Sequence, residues 1–466
     1  MSLVNCTPAT THDKCGQPSS EVVVGHRGSI KQGCPHKSWE GLAPMEISQT
    51  QNKAKRLKVL LSAYACRPDM GSEPGVGWNM ARELVKHYSI WVITREENRF
   101  SIASELSQNP VPGLNVIYYD LPSWARWWKK PSQGVHLHHY LWQIGVYFLA
   151  QKLHREINFD LVHHVTYGRY SAPSFLSLLP VPFIWGPVGG GESAPAPFWQ
   201  DFTFRNKIYE SLRNLASWVG ERDPFVHLTV KRSKVAIVAT PETSLRVSAL
   251  GAKRIEVIFG QTGVNQQELA QLGQLPVQSS QTPIRFVSIG RLLHWKGFHL
   301  GIRAFAQANL QESEYWIVGD GAERQRLEAL TQELQIADRV RFFGNLPREK
   351  TLQKLGECDV LVHPSLHDFS PTVCLEAMAA NRPVICLDLG GPATQITEET
   401  GFKVAAHTPE QAVTDMAKVM VDLASEPKMR VRMGQAGRQR ISQLYSWEMK
   451  GKFLKELYTE IVQQGV

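Results

Sequence analysis

From residue 57 onward, short apolar runs alternate with stretches of helical spacing, and most runs end in turn-forming residues. The first run is 57–64 (LKVLLSAY), followed by 90–94, 116–119, 160–165, 182–186, 235–239 and 255–259. Runs this short and continuous predict strands covered on both faces, as in a parallel sheet. The intervening helices predict right-handed βαβ units. A stretch rich in Gln, Ser and Pro, about 266–283, predicts an irregular connection. The alternation then restarts, with strands expected at 284–289, 315–318, 340–343, 359–363 and 383–387. From about 409 to 462 only long helices are expected, with no further strand.

The pattern predicts an α/β chain of two doubly wound, Rossmann-like domains facing a cleft. They span residues 57–264 and 265–466, with C-terminal helices able to pack back on the first domain. In such folds ligands sit at the carboxyl ends of the strands. Residues 1–56 lack apolar periodicity and predict a disordered tail, with Met45 as an alternative start of translation. Cys6, Cys15, Cys34, His12, His26 and His36 in that tail match no zinc spacing, and no metal site is expected.

Composition narrows the partners. The 466 residues carry a formal charge of +8. The excess lies in the tail and in residues 57–264, while 265–466 is near neutral. No zinc-finger, basic-zipper or RNP-like pattern accompanies it, so nucleic acid is not an expected partner. There are seven cysteines and no C-x-x-C. Cys66, Cys358, Cys374 and Cys386 lie in apolar runs and predict reduced, buried thiols of a cytosolic protein. No signal-peptide layout opens the chain. The longest membrane-like stretch, 140–150, is far short of the ~20 residues a spanning helix needs. The expected location is the cytoplasm, with peripheral attachment at the inner face of the membrane as a further expectation. Two features point to an anionic membrane surface: the cluster Trp124-Ala-Arg-Trp-Trp-Lys-Lys130, and a basic stretch with Phe204, Ile208, Leu212, Leu215 and Val219 at helical spacing. The alternative is a helix that packs its apolar stripe on the domain.

Two strand-to-helix loops carry the candidate chemistry. In His367-Asp-Phe-Ser-Pro-Thr-Val-Cys-Leu-Glu376, Ser370 suits an N-cap and Pro371 the first helical position. Free backbone N–H groups there suit a phosphate. Asp368 lies just before the helix and Glu376 about two turns in. In Gly290-Arg-Leu-Leu-His-Trp-Lys-Gly297, Arg291 offers a fork of donors and Lys296 a point charge, a pair suited to a diphosphate. In the first half, Gly71, Gly75 and Gly77 permit close approach of backbone to phosphates or an acceptor. Strand alternation puts one of His163 and His164 toward the cleft, with His163 favoured. A second glycine-rich loop ends in Glu192, which suits an acceptor-side wall. No D-x-D occurs.

Together these motifs resemble the retaining glycosyltransferases of family 4, with the GT-B fold. The family's E-x7-E is matched by Asp368 and Glu376, and its G-R-L-x-x-x-K-G loop by Gly290 to Gly297. Trp316-Ile-Val-Gly-Asp-Gly321, Val340-Arg-Phe-Phe-Gly344 and Ala379-Ala-Asn-Arg-Pro-Val384 match three further turns. The hinge Thr262-Gly-Val-Asn265 stands where the family has N-G-V-D. Asp at 368 and Asn at 265 depart from the pattern. The resemblance implies catalytic roles for His163, His164, Asp368 and Glu376. It implies that Arg291 and Lys296 hold the diphosphate and that Glu376 holds the ribose. Asp368, Phe369, Ser370, Pro371, Thr372 and Val373 would touch the donor sugar and phosphate, with Gly319 and Leu346 also in the donor pocket, Leu346 near the base. The implied reaction is metal-independent transfer from a nucleotide-diphosphate sugar to a saccharide or lipid-linked acceptor in glycan or exopolysaccharide assembly, retaining anomeric configuration. No cofactor is implied, because the nucleotide sugar is a substrate. The alternatives are a non-catalytic nucleotide- or saccharide-binding protein of this fold, or a sugar-nucleotide epimerase.

Overall fold

The computed structural model describes residues 56–68, 70–126, 134–258, 260–275 and 283–464. The expected tail with its Cys and His residues, and Trp127 to Lys130 of the Trp/Lys cluster, lie outside the described residues.

Seven parallel strands form the first sheet: β1 (Lys58–Ser62), β2 (Ser89–Thr94), β3 (Leu114–Tyr118), β4 (Leu161–His164), β5 (Phe183–Val188), β6 (Ser233–Val238) and β7 (Ile255–Val257), in the order β3-β2-β1-β4-β5-β6-β7. Six more form the second: β8 (Ile284–Ile289), β9 (Ser313–Val318), β10 (Val340–Gly344), β11 (Val360–His363), β12 (Val384–Leu387) and β13 (Gly401–Val404), in the order β10-β9-β8-β11-β12-β13. The first strand shows why these segments read as unbroken apolar runs. Val59 and Leu61 enter the core on one face of the sheet and Leu60 the core on the other, all without exposed surface. Both faces are covered, so no position needs to be polar.

Twelve expected strands are present, and β13 is an addition. It is an edge strand paired only with β12. Only Phe402 and Val404 of its four residues, GFKV, are large and apolar, so no continuous apolar run marks it. Gly401 allows the contact, since a Cβ there would lie 2.1 Å from the Val384 carbonyl oxygen.

Seven helices position the cleft: α1 (Ser72–Leu84), α2 (Val135–Ile157), α3 (Phe204–Gly220), α4 (Gln266–Gly273), α5 (Phe298–Ala308), α6 (Thr372–Ala379) and α7 (Trp447–Gln463). Helix α4 corrects the expectation of an irregular connection. Asn265 and Glu268 close a capping box, with Glu268 N–H donating to Asn265 Oδ1 at 2.7 Å and Asn265 N–H to Glu268 Oε2 at 3.1 Å. Two orphan donors are thereby satisfied, and a Gln-rich segment holds a helix.

The chain passes from the first sheet to the second through residues 260–265 and returns beside that path. Val264 N–H donates to the Tyr445 carbonyl at 3.0 Å, and Trp447 N–H to the Val264 carbonyl at 3.2 Å. Beyond this return, α7 packs on the first sheet's layer. Trp447, Leu454, Leu457, Tyr458 and Ile461 join one core with Val59, Leu61 and the α1 residues Val76, Trp78 and Leu84.

Helix α3 differs from the expectation of a packed stripe. Its Phe204, Ile208, Leu212, Leu215 and Val219 are exposed, from 44% to 78%. The opposite face is the anchored one. Glu210 is fully buried and accepts from His294 Nε2 at 2.9 Å and His367 Nε2 at 3.2 Å, both in the second half.

Candidate active site

Asp368 and Lys296 come from adjacent strand-to-helix loops. The Asp368 carboxylate accepts from the Lys296 ammonium and from His363 Nε2–H at 3.0 Å. Burial alone would raise the carboxyl's pKa. The Lys296 charge and the His363 hydrogen bond override burial and hold it well below the ordinary range. The group is therefore a fixed anion at neutral pH. His363 itself is pushed down by burial, against the pull of Asp368.

The Lys296 loop owes its path to glycines. Gly297 has φ +66°, and a Cβ there would lie 1.9 Å from the Pro364 carbonyl oxygen. Leu366 N–H donates to the Trp295 carbonyl at 2.8 Å, which locks the two loops together. Gly319 (φ +137°) crosses directly over Gly290, whose carbonyl would be 1.9 Å from a Cβ. Gly319 is thus a crossing point of backbone. Arg291 is exposed and forms no ion pair among the described residues.

Glu376 lies on α6 and lines a cavity of about 330 Å³ with Gly71, Gly75, Thr372, Asn265 and Arg348. Its Oε1 accepts from Arg348 Nη1 at 2.6 Å, and Arg348 Nη2 donates to Glu268 at 3.2 Å. Burial would lower the Arg348 pKa, and pairing with Glu376 raises it. Arg348 and Glu268 are site residues that the sequence did not single out. No spacing links them to Glu376.

Several expected placements change. Ser370 is not the N-cap: α6 starts at Thr372, with Pro371 in the cap position and no side-chain cap bond. The Ser370 hydroxyl instead accepts from Gln261 N–H at 3.0 Å and Thr262 N–H at 3.3 Å, satisfying donors of the crossing between the halves. Gly77 lies inside α1 and faces its own chain, since a Cβ would be 2.3 Å from the Ala65 carbonyl oxygen. At Gly75 the nearest such atom is the Met70 carbonyl oxygen, at 2.5 Å. These two glycines let α1 approach the preceding loop. The Leu346 side chain packs with the core of the second half. Val373 also packs there. The Phe369 ring lies on Gly189, where a Cβ would be 2.5 Å from it. Glu192 is buried rather than a wall, its carboxylate accepting from Thr240, Thr243 Oγ1 at 2.8 Å and Gly190 N–H at 3.0 Å.

Neither His163 nor His164 faces a cavity. His163 donates from Nε2 to the Gly186 carbonyl at 2.5 Å, and its Nδ1 bonds the Tyr458 hydroxyl of α7. Burial pushes its pKa down to about 3. His164 Nδ1 lies 3.0 Å from Ser174 Oγ, and burial pushes its pKa to about 4. Alternation along β4 cannot choose between them, because both faces of the sheet are covered. Two other histidines of the first half, His136 and His139 of α2, reach a cavity. They line a second cavity of about 530 Å³ with Tyr140, Tyr167, Arg169 and Phe369. The spacing of His136, His139 and Tyr140, one helical face, is the signal that locates them.

Residues 276–440 match the family described as glycosyl transferases group 1. Over that segment the chain is similar to the group 1 glycosyl transferases. Among curated relatives, the lipopolysaccharide core biosynthesis glycosyltransferases LpsD and LpsE of Rhizobium meliloti (strain 1021) are similar. LpsD is 29% identical over 231 residues, covering 49% of this chain and 64% of LpsD. LpsE is 31% identical over 227 residues, covering 48% and 62%. The chain thus spans less than two thirds of the length of these relatives. Among solved structures, a sucrose-phosphate synthase from Thermosynechococcus elongatus superposes with a TM-score of 0.61 at 18% identity, over 88% of this chain and all of that one. Anabaena HepE in complex with UDP and glucose gives 0.57 at 17% identity, over 87% of this chain and all of HepE. The fold is GT-B. The matched segment contains Arg291, Lys296, Gly319, Leu346 and the whole Asp368–Glu376 loop and helix. The second cavity is lined from outside the matched segment, except for Phe369.

Proposed function

We propose that this protein transfers a sugar from a nucleotide-diphosphate donor to a saccharide or lipid-linked acceptor, with retention of anomeric configuration, in the assembly of a surface glycan. The observation that carries the reading is the Lys296–Asp368–His363 cluster at the start of α6, beside a cavity lined by Glu376 and Gly71. The names of the curated relatives, which assemble lipopolysaccharide cores, support the setting.

Each residue has a task in this reading. Lys296 and Arg291 stabilise the negative charge that develops on the departing diphosphate. The free N–H groups of Thr372 and Val373 add to that potential. These groups supply the electrophilic help, and no metal is assigned a role. Glu376 exchanges Arg348 for the ribose hydroxyls. Asp368, already ionised and anchored, orients the donor sugar and so favours the reactive geometry. Its engagement with Lys296 and His363 does not suit it to act as a carboxylate nucleophile. The acceptor hydroxyl therefore attacks from the leaving-group face. The bond from the anomeric carbon to the diphosphate breaks, the bond to the acceptor oxygen forms, and the proton passes to a diphosphate oxygen. Incubation with UDP-, GDP- and ADP-sugars is expected to give hydrolysis or transfer with at least one donor, the product anomer matching the donor by proton NMR. No turnover with any donor would sink the transferase reading, and an inverted product would sink retention.

The acceptor-side half is proposed to sit on an anionic membrane. The exposed stripe on α3 and the exposed Trp124 (77%) support this. Burying one Leu is worth about 1.5–3 kcal/mol. Leu212→Glu with Leu215→Glu is therefore expected to weaken sedimentation with phosphatidylglycerol/phosphatidylcholine vesicles at least ~10-fold. Unchanged binding would remove α3 as the contact.

A further inference from the structure

The second cavity contains a cation, Arg169, that is engaged by neither of the acids lining it. Arg169 is fixed at its backbone by a parallel bridge to Gly189, and its side chain lies along Gly190. Its Nη2 donates to Ser217 Oγ at 3.0 Å, and it makes no ion pair among the described residues. Burial, and after it the like charge of Arg213, push the Arg169 pKa down.

The two acids that line the same cavity are already engaged. Glu73 accepts from Tyr167 N–H at 2.5 Å and Gln261 Nε2 at 3.1 Å, and burial raises its pKa. Asp223 caps the following helix by accepting from Phe225 N–H at 2.8 Å, and it takes the Tyr140 hydroxyl at 3.4 Å. His136 and His139 add donors. A half-buried guanidinium without a counter-ion is costly to maintain. Its planar fork fits a carboxylate or a phosphate.

We propose that this cavity is an acceptor subsite for an anionic saccharide, whose carboxylate or phosphate pairs with Arg169 while its ring lies toward Phe369. The word acceptor rests on the transferase reading above. The anion site itself rests on Arg169 and the cavity. Phe369 adjoins Asp368, so a saccharide held here presents its far hydroxyl toward the donor half. The anion has two chemical sources. One is an acid or phosphate substituent on the sugar, and the other is the anomeric phosphate by which a sugar joins a lipid carrier.

The test is a titration of the full-length protein with glucose, glucuronate, glucose 6-phosphate and glucose 1-phosphate, followed by NMR. At least one anionic probe is expected to bind on the order of 10- to 100-fold more tightly than glucose. Arg169→Gln should erase the preference and Arg169→Lys should keep most of it. Lys296→Ala should leave it intact, which places the probes outside the donor half. Preference for glucose 1-phosphate marks the carrier-type phosphate, and preference for the other two marks a substituent. Equal binding of all four probes, or a preference that survives Arg169→Gln or vanishes in Lys296→Ala, overturns the proposal. Donor hydrolysis by the wild type is measured separately. Its absence with the Arg169-dependent preference retained would remove the transferase reading and leave the anion site.

Discussion

Lys296→Ala is expected to lower kcat/KM for sugar transfer by roughly 100- to 1,000-fold, the usual loss when one preorganised charge is removed from a developing oxyanion. The loss should fall mainly on kcat, because the lysine matters most when the diphosphate is leaving. The substitution also changes Asp368. The carboxylate keeps His363 but loses the charge that most strongly opposes burial, so its pKa rises. With its folded pKa depressed, Asp368 contributes stability at pH values above its unfolded value, and that contribution is lost as pH falls through the folded value. Removing Lys296 removes part of that contribution, so the variant should unfold at a higher pH on acidification. Rates close to wild type in a variant with a native circular dichroism spectrum would refute the placement of the diphosphate.

Gly297→Ala should be among the most destabilising single changes near the cleft. A left-handed residue without glycine costs about 1 kcal/mol. A Cβ placed 1.9 Å from the Pro364 carbonyl oxygen forces the loop to shift as well. Together these imply about 3–5 kcal/mol, the range of severe backbone substitutions. The melting temperature should fall by on the order of 10 °C. Gly251→Ala isolates the first contribution, because Gly251 also has positive φ (+90°) but nothing lies within 4 Å of its Cβ position. It should lose only about 1 kcal/mol. Equal melting temperatures for the two variants would show that the Pro364 contact is soft.

The sequence reveals most about elements that are covered evenly. Twelve parallel strands announce themselves as apolar runs, the edge strands β3, β7 and β10 among them. Edge strand β13 does not, because it is four residues long and Gly401 and Lys403 interrupt its apolar character. Helix α4 is hidden by its Gln-rich composition, although Asn265 and Glu268 hold the right spacing for a capping box. The same division runs through the site. Lys296 and Asp368 are legible because each sits where a strand gives way to a helix, and the fold brings those places together. Arg348 is invisible, since its partner Glu376 is distant in the chain and only tertiary structure joins them. Ser370 fits a cap by type, yet its hydroxyl meets stronger claims from Gln261 and Thr262. The choice of His163 failed for a further reason: alternation separates inside from outside only where a sheet has an outside.

The return of the chain beside Val264 bears on how the protein is made. Strand β1 and helix α1 are synthesised early, but the residues that finish their shared core, from Trp447 to Ile461, emerge only after the whole second sheet. His163 likewise lacks its Tyr458 partner until then. At about 5–20 residues per second on the ribosome, the wait lasts on the order of ten seconds or more. During it the first half presents an apolar strip to the cell, while the whole second sheet is translated and can close on itself. Order of synthesis and order of completion are therefore reversed: of the two halves, the one made first is sealed second.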